Sequence, residues 1–567
     1  MPGHDNESAA MKRPQTARKA RSAANAPKHA RRRPGKPRRS YDALLAELKA
    51  RLAEIGDLAG AAAVLSWDEA TYMPLGGALA RGRQGALLAR LLHERRTQAR
   101  LGTLIDQLVP YAETLPGDHD DAALIVVARR DFAKATRVPA RFVEQMSQHG
   151  SASYHAWTRA RPNDDFAAMR PYLERTLDLS REYAEFFAPY RHVIDPLIDD
   201  ADAGLTCATV RALFRELRGE LVPLVRAICD RPPPDASCLH GGFAEAPQLD
   251  LGLSIAEAYG YDLARGRLDR THHPFCTRFS GGDIRITTRI DPDDLTGALF
   301  STLHEAGHAL YEQGVAAALD GTPLGSGTSA GVHESQSRLW ENVVGRSRTL
   351  WQHYHPVLRA TFPDRFAQVP LETFYRAINK VERSLIRTDA DEVTYNLHII
   401  IRFELELDLL EGRLAVKDLP QAWRARYQSD LGVSPQDDRD GCLQDVHWYL
   451  DRVGGMFHSY TIGNVLSAQF YAAALAAHPE IPSEIAAGRF VILKGWLEEN
   501  VYRHGRKLQA DALVRRATGE PMTIRPYMAY LSRKYGELYD LPQTLSRPAS
   551  HPGQGGGLDQ RPEAGIG

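Results

Sequence analysis

His304-Glu305-Ala306-Gly307-His308 stands near the middle of this chain of 567 residues. Histidines with this spacing lie on one face of an α-helix, so both imidazoles can reach a single divalent cation. Glu305 lies beside them, where a carboxylate can polarise a water molecule. The pentapeptide therefore predicts a metal site of the kind that zinc peptidases use. A buried pair of hydrogen-bonded histidines is the plain alternative.

The residues around the pentapeptide favour a helix. Asp293 and Asp294 offer an N-cap and negative charge at its start, and residues 295–313 contain no proline. Gly314 is a suitable C-terminal stop. We therefore expect a rigid helix to carry the two imidazoles.

A tetrahedral catalytic zinc needs three protein ligands and one open position. Glu334 is the best candidate for the third ligand, because it follows a loop rich in Gly, Thr and Ser and opens a second helical pattern over 334–343. Its alternative role is a charge near a helix N-terminus. Glu312 lies a further turn along the first helix, which suits support of a ligand better than contact with the metal. Glu341 is either a rival ligand or a supporting partner.

Composition predicts a mostly helical enzyme with a large core, because 43% of the residues are hydrophobic and long amphipathic stretches dominate. We expect helices within 41–55, 82–110, 120–148 and 166–189. No apolar run is long enough to cross a bilayer. The five cysteines are scattered and lack metal-binding spacing, which favours reduced thiols in a cytoplasm.

One segment departs from the helical period. In 283–290, isoleucines alternate with polar residues, which predicts a half-buried strand. This strand would come just before the helix that carries His304 and His308, which we call the metal helix. A small sheet beside such a helix can hydrogen-bond an extended peptide through a strand edge. Arg285 and Arg289 could equally form its solvated polar face.

The two ends of the chain differ from the remainder. Residues 1–40 hold 12 Lys and Arg against two acids and have almost no large apolar residue, so we expect a basic disordered extension. A transit peptide, a nucleic-acid-binding arm and a later start at Met11 are alternatives. Residues 546–567 read as a disordered tail. We expect 41–545 to form a single domain.

Several further motifs, in a fixed order, make the chain resemble the carboxypeptidase Taq family of thermostable metallocarboxypeptidases, from about Tyr41 to Leu541. The segment Trp67-Asp68-Glu69-x-Thr71-Tyr72-Met73-Pro74 resembles the family's N-terminal region. The other motifs are His273-Pro274-Phe275, Asp283-x-Arg285-x-Thr287, the 304–308 pentapeptide, His333-Glu334-Ser335-Gln336, Ile386-Arg387-x-x-Ala390-Asp391 and Gly441-x-x-Gln444-Asp445-x-His447-Trp448. The arm and the tail depart from the usual family length.

The resemblance implies a fold and an activity. The fold would be a predominantly α-helical, zincin-like homodimer, with a deep groove between two helical halves and one zinc ion at its floor; cobalt is a possible substitute. The activity would be release of single C-terminal residues from peptides, with broad side-chain tolerance and poor action next to proline. By motif position, His304, His308 and Glu334 would hold the metal, Glu305 would be the general base, and Arg387 would recognise the substrate carboxylate.

Arg387 also has a chemical argument of its own. An exopeptidase must recognise a free carboxylate, and a guanidinium binds one bidentately without titrating near neutral pH. Asp391 follows at helical spacing, so it could orient Arg387 or form an ordinary surface pair with it.

Four further residues are candidates for substrate binding. His447 and Tyr460 could donate hydrogen bonds to an oxyanion or a carboxylate. His273 would shape the groove beyond the leaving residue, or belong to a rigid turn. Arg285 is a second possible carboxylate anchor.

Two other functions stay open from the residues alone. An oligopeptide endopeptidase or a dipeptidyl carboxypeptidase could use the same zinc site and differ only in where the carboxylate anchor lies. Nucleic-acid binding through 1–40 is a remote possibility and would be salt-sensitive.

Overall fold

The computed structural model describes residues 40–542, so the tail and all of the basic arm except Ser40 lie outside it. The described range is mostly helical, as predicted, with one small sheet. The helices are α1 (Tyr41–Thr71), α2 (Ala78–Arg96), α3 (Ala99–Ala112), α4 (Asp120–Arg137), α5 (Ala140–Ala160), α6 (Phe166–Glu185), α7 (Asp195–Ala201), α8 (Cys207–Cys229), α9 (Glu245–Tyr259), α10 (Leu295–Gly314), α11 (Ala330–Arg338), α12 (Arg348–Thr361), α13 (Pro363–Phe366), α14 (Leu371–Ile378), α15 (Tyr395–Leu410), α16 (Leu419–Asp430), α17 (His447–Leu450), α18 (Phe457–Ala477), α19 (Ile481–Ala486), α20 (Val491–Asn500), α21 (Ala510–Thr518) and α22 (Arg525–Leu538).

The predicted helices are present, with boundaries that local chemistry explains. The first extends well beyond 55, to Thr71, and buries Leu44, Leu48 and Leu52 against α3 and α4. The predicted stretch 120–148 divides into α4 and α5, because Pro139 lacks a backbone donor and holds the preceding residue in an extended conformation. None of the described helices is long and apolar enough to span a membrane.

The sheet lies beside the metal helix, as expected. Its strands are β1 (Leu268–Arg270), β2 (Cys276–Ser280) and β3 (Asp283–Thr288), in the order β1-β3-β2. The central strand β3 pairs parallel with β1 and antiparallel with β2. Ile284 and Ile286 are fully buried, as the alternating pattern predicts, but Thr287 on the other face is buried as well, and the strand ends at Thr288 and not at residue 290.

Part of the sheet edge is already covered. A Cβ atom added to Gly60 of α1 would lie 2.9 Å from the backbone oxygen of Phe279 in β2. The two backbones can approach this closely only because residue 60 has no side chain. A substrate peptide therefore cannot pair with β2 at Phe279.

The metal helix α10 crosses α11 at a glycine. Asp294 caps α10 by accepting hydrogen bonds from the backbone N–H groups of Thr296 and Gly297. A Cβ atom at Gly307 would lie 2.6 Å from the backbone oxygen of Gln336, so the crossing requires glycine. Beyond α11 the chain continues as a π-helix over Leu339–Val344, where the sequence predicts a regular helix.

Candidate metal centre

Three side chains from two helices converge on one point. His304 and His308 come from α10, and Glu334 comes from α11. The Oε2 atom of Glu334 lies 3.8 Å from Nε2 of His304 and 3.6 Å from Nε2 of His308. These are the three residues that the sequence predicts as metal ligands, and their donor atoms all lie within 4.8 Å of one another.

Hydrogen bonds on the far side of each imidazole orient it. Nδ1 of His304 lies 2.9 Å from Oε2 of Glu341. Nδ1 of His308 lies 2.6 Å from Nδ1 of His333, whose Nε2 lies 2.8 Å from Oε1 of Glu312. With Nδ1 of each ligand histidine donating, both Nε2 atoms keep their lone pairs for the shared point.

These contacts bear on the roles of Glu341 and Glu312, the two carboxylates whose function the sequence left open. Glu341 contacts Nδ1 of His304 and lies outside the set of converging donor atoms, which favours the supporting role over that of a third ligand. Glu312 supports His308 only through His333, one residue further from the shared point than we expected.

Arg338 is a functional residue that the sequence reasoning missed. Its Nε donates to Oε1 of Glu334 at 2.7 Å, and its Nη1 lies 3.3 Å from Oε2 of Glu341. The guanidinium also lies 4.5 Å from the ring centroid of Tyr395. Holding Oε1 leaves Oε2 of Glu334 directed at the histidines. The i,i+4 spacing from Glu334 was the available signal.

Glu305 is buried beside the ligands, with 6% of its surface exposed. Burial raises the pKa of its carboxyl to about 7; His304 opposes this rise, whereas the carboxylates of Glu334 and Glu341 add to it. A carboxyl with a pKa near neutrality can both accept and return a proton.

The donor set fits a zinc ion. Two imidazole nitrogens and one carboxylate oxygen are ordinary zinc ligands, and a tetrahedral ion needs donors about 3.4 Å apart. The separations of 3.6 and 3.8 Å from the Glu334 oxygen are close to that value. Burial, together with neighbouring His333 and His304, lowers the pKa of His308 well below its ordinary value, so its imidazole is neutral and able to coordinate.

Arg387 is held by Asp445 and not by Asp391. Its Nε donates to Oδ2 of Asp445 at 2.6 Å and its Nη2 to Oδ1 at 3.2 Å. Asp391 instead caps the next turn, accepting from the backbone N–H groups of Val393 and Thr394. The predicted i,i+4 contact is wrong because Arg387–Asp389 form only a short 3-10 turn, which ends in extended backbone.

A second buried arginine shares the same carboxylate. Arg402, which is fully buried, donates from Nε to Oδ2 of Asp445 at 2.9 Å. Burial opposes ionisation of Asp445, but Arg387 and Arg402 outweigh it and hold its pKa well below the usual value. Burial and these two cations also keep the pKa of His398 well below its ordinary value. Two guanidinium groups facing one carboxylate leave one net positive charge.

Three of the other residues predicted to bind substrate lie around Arg387 and Asp445. Nδ1 of His447 contacts Oδ1 of Asp445. The ring of Tyr460 lies 5.5 Å from the guanidinium carbon of Arg387. His273 is exposed, and its pKa is lowered by partial removal of water and by the facing His447 and Arg387. The structure thus brings Arg387, His447, Tyr460 and His273 together.

Arg285 lies in a different environment. Its guanidinium pairs with both oxygens of Asp283, at 2.8 and 2.7 Å. It also lies 4.4 Å from the ring centroid of Trp67 and 4.8 Å from that of Phe279. These contacts tie the sheet to α1.

A cavity of about 450 Å³ opens beside the metal donors. His308, His333, Glu334 and Tyr460 line one side of it. The rest of the lining comes mainly from α7 and from the segment that leads into α18, and consists of Leu197, Asp200, Ala201, Ala330, Asp451, Arg452, Gly455, Met456 and Ser459. The arrangement can therefore place a ligand against the donors.

Several known proteins are similar to this chain in sequence. Residues 47–535 match the family described as Carboxypeptidase Taq (M32) metallopeptidase. The chain is 42% identical over 497 residues to Thermostable carboxypeptidase 1 of Thermus thermophilus, across 86% of this chain and 97% of that protein. It is 36% identical over 489 residues to Carboxypeptidase 1 of Bacillus subtilis, across 86% of this chain and 97% of that protein.

A solved structure agrees with these sequence relatives. The crystal structure of the M32 carboxypeptidase from Deinococcus radiodurans is 53% identical, with a TM-score of 0.86, and the match covers 88% of this chain and 100% of that one. The metal donors described above lie inside the matched range. The chain therefore belongs to the carboxypeptidase Taq (M32) family and is a metallocarboxypeptidase.

Proposed function

We propose that this enzyme uses zinc to remove one residue at a time from peptide C-termini, with broad tolerance of the leaving side chain. The single observation that carries the proposal is the net positive charge of the Arg387, Arg402 and Asp445 cluster, which Tyr395 and Arg338 connect to Glu334. A buried cation of this kind attracts a carboxylate, and only the last residue of a peptide carries one on its backbone.

His304, His308 and Glu334 would hold the ion. When bound, zinc supplies a Lewis acid that polarises the scissile carbonyl and lowers the pKa of water. Glu305 accepts the proton of the attacking water and then delivers it to the leaving amine. Its buried position and its pKa of about 7 suit both transfers.

Arg387 fixes the position of the cut. Asp445 orients its guanidinium, and Arg402 offsets the charge of Asp445, so that Arg387 still attracts an anion. His447, oriented by the same carboxylate, and Tyr460 donate to the substrate carboxylate or the developing oxyanion. His273 covers the outer end of the site.

Arg285 is assigned to holding the sheet against α1, because its guanidinium is already engaged by Asp283, Trp67 and Phe279. Arg285 therefore has a structural role in this proposal, and Arg387 is the carboxylate anchor.

An acid and amide pair of substrates tests the anchor. The wild type should cleave an N-blocked peptide with a free C-terminus much faster than its C-terminal amide, because the guanidinium would face a neutral group. Arg387→Ala should lose most of the activity on the acid and little on the amide, and Arg387→Lys should recover part of it, since an ammonium lacks the planar fork. Arg285→Ala is the matched control and should not change the ratio of acid to amide. An equal loss on both substrates in Arg387→Ala would make Arg387 structural.

Product analysis separates the related reactions. Mass spectrometry of an N-blocked peptide should show a ladder that shortens by one residue per step. Loss of two residues per step would indicate a dipeptidyl carboxypeptidase, and internal fragments would indicate an endopeptidase.

We further propose a homodimer in the cytoplasm, with cobalt as a possible substitute for zinc. The five cysteines, all unpaired within the described residues, support a reducing compartment. Light scattering on the purified protein tests the dimer. Nucleic-acid binding through residues 1–40 is a separate hypothesis, and salt-sensitive binding that disappears on deletion of the arm would support it.

A further inference from the structure

The two histidine ligands face different parts of the protein. Nδ1 of His304 contacts Glu341, which pairs with Arg338. Arg338 stacks on Tyr395, whose hydroxyl accepts a hydrogen bond from Arg387. A continuous set of contacts thus joins the His304 side of the centre to the carboxylate anchor.

The His308 side opens instead into the cavity. His308, His333 and Glu334 line it. The residues that connect His304 to the anchor do not line it; they are His304, Glu341, Arg338, Tyr395 and Arg387. Tyr460 lies at the boundary, because it lines the cavity and its ring is also 5.5 Å from the guanidinium carbon of Arg387. The cavity therefore borders the His308 side of the metal centre, whereas the anchor is connected to the His304 side.

The polarity of a peptide then decides what the cavity holds. The scissile carbonyl must lie at the metal centre, and the leaving residue must extend from it towards Arg387. The residue before the scissile bond must extend the other way. We propose that the cavity between α7 and the start of α18 binds the side chain of the penultimate residue of the substrate and selects large apolar side chains there. This inference rests on the proposed anchor at Arg387.

The cavity wall supports an apolar preference. Leu197, Ala201, Gly455 and Met456 supply its carbon surface, and a cavity of about 450 Å³ has room for any natural side chain. Side chains of this kind gain free energy when they leave water for such a wall.

The charges of the wall disfavour an acidic side chain. Arg452 is already engaged, because its Nη1 lies 2.8 Å from Oδ2 of Asp200. Lys134 lies 3.3 Å from the other oxygen of Asp200. Asp451, whose side chain is 55% exposed, stands at the rim, where its Oδ1 accepts a hydrogen bond from the backbone N–H of Arg452 at 2.7 Å and lies 3.4 Å from Nε of the same residue. Lys134 also pairs with Asp199 at 2.5 Å, so this group holds three carboxylates against two cations, and a carboxylate entering the cavity would meet one net negative charge.

N-blocked dipeptides that end in alanine test the proposal, with Gly, Leu or Glu as the penultimate residue. In the wild type, kcat/KM should rank Leu above Gly by about ten-fold, with Glu the poorest. Asp451→Asn should reduce the discrimination against Glu. Met456 is 42% exposed, so Met456→Trp can fill the cavity with little risk to folding and should reduce the ratio of Leu to Gly severalfold. Leu450, 44% exposed and outside the lining, gives the matched control Leu450→Ala, which should keep that ratio.

A second series keeps leucine as the penultimate residue and varies the C-terminal one. The ranking of C-terminal residues should be the same in Met456→Trp and the wild type. A changed ranking there, with an unchanged ratio of Leu to Gly, would overturn the inference and assign the cavity to the leaving residue. Equal rates for Gly and Leu in the wild type would also overturn it. Failure of the wild type to release single residues from any substrate would instead contradict the proposed function.

Discussion

Gly463 of α18 faces the side chain of Glu334 in α11 so closely that a Cβ atom at residue 463 would overlap the Glu334 methylene carbons. The absence of a side chain at 463 gives the third ligand the space to turn towards the histidines. One glycine on a neighbouring helix thus takes part in building the metal centre without contacting the metal.

Gly463→Ala should therefore displace Glu334 and weaken zinc binding by at least about ten-fold, the range seen when support of a ligand is lost. Competition with a chelator would measure the affinity. Gly495→Ala is the matched control, because a Cβ atom there meets nothing within 4 Å, and it should bind zinc normally. Wild-type affinity in Gly463→Ala would show that α11 and α18 can separate at no cost.

Variants of the three proposed ligands should lose the metal, whereas a variant of the supporting residue Glu341 should keep it. His304→Ala, His308→Ala and Glu334→Ala should each lose bound zinc and activity, because a site with three protein ligands has no redundancy. Glu341→Gln still offers an oxygen to Nδ1 of His304, so it should retain one zinc per chain with an affinity about ten-fold lower. Elemental analysis after gel filtration distinguishes the groups, and stoichiometric zinc in Glu334→Ala would contradict the assignment.

Glu305→Gln should separate metal binding from chemistry. The amide is nearly isosteric but cannot accept a proton, so turnover should fall about a hundred- to ten-thousand-fold while zinc content and melting temperature stay close to the wild type. Single-turnover kinetics with a fluorogenic peptide would measure the loss. Near-normal turnover would remove Glu305 from the mechanism.

Glu406 should make stability depend on pH. This carboxyl is 2% exposed, and burial raises its pKa from 4.5 to about 8. The folded state then holds a proton that the unfolded state releases between these values, so the free energy of unfolding should fall as pH rises from about 4.5 to 8 and then level off, by an amount on the order of a few kcal/mol. Glu406→Gln keeps an acceptor for Nε1 of Trp448 and removes the titration.

Urea unfolding at pH 5 and pH 8 would therefore show a smaller loss of stability in Glu406→Gln than in the wild type. The exposed Glu257 provides the control Glu257→Gln, which should behave as the wild type does. An identical pH dependence in Glu406→Gln would mean that residue 406 is ionised in the folded protein.

Deletion of the basic arm should leave catalysis unchanged, provided that the deletion retains Ser40. Ser40 caps α1 by accepting a hydrogen bond from the backbone N–H of Ala43 at 3.3 Å, so the deletion should stop at residue 39. Removal of 1–39 should leave kcat/KM and zinc content unchanged. Removal of 1–40 should lower stability by about 1 kcal/mol, the usual contribution of a serine cap. Inactive protein after the shorter deletion would assign the arm a structural role.

The metal helix could be predicted because its information is local. The spacing of His304 and His308, the Asp294 cap and the alternation of Ile284 and Ile286 each involve residues a few positions apart, where backbone geometry alone fixes the relation. Glu334 could be proposed from the same reasoning because it belongs to the next helical pattern in the chain, although the helix itself begins four residues earlier, at Ala330.

The partners of the substrate anchor could not be predicted in this way. The Asp391 contact was chosen for its helical spacing and is wrong, whereas Asp445, the true partner of Arg387, lies 58 residues away. Arg402 was missed because a buried arginine inside an apolar helix has no distinctive pattern. Long-range pairs of this kind depend on how the helices cross.

The sequence by itself determined which residues can bind a metal and transfer a proton, because imidazole and carboxylate chemistry and helical periodicity are properties of residue type and spacing. Only the tertiary structure decided which carboxylate converges with the two histidines and which contacts His304 at Nδ1, how Arg387 keeps a net positive charge, and where the cavity opens. Those properties follow from the approach of α10, α11, α15 and α18, at distances that depend on Gly307 and Gly463 and on packing across the core.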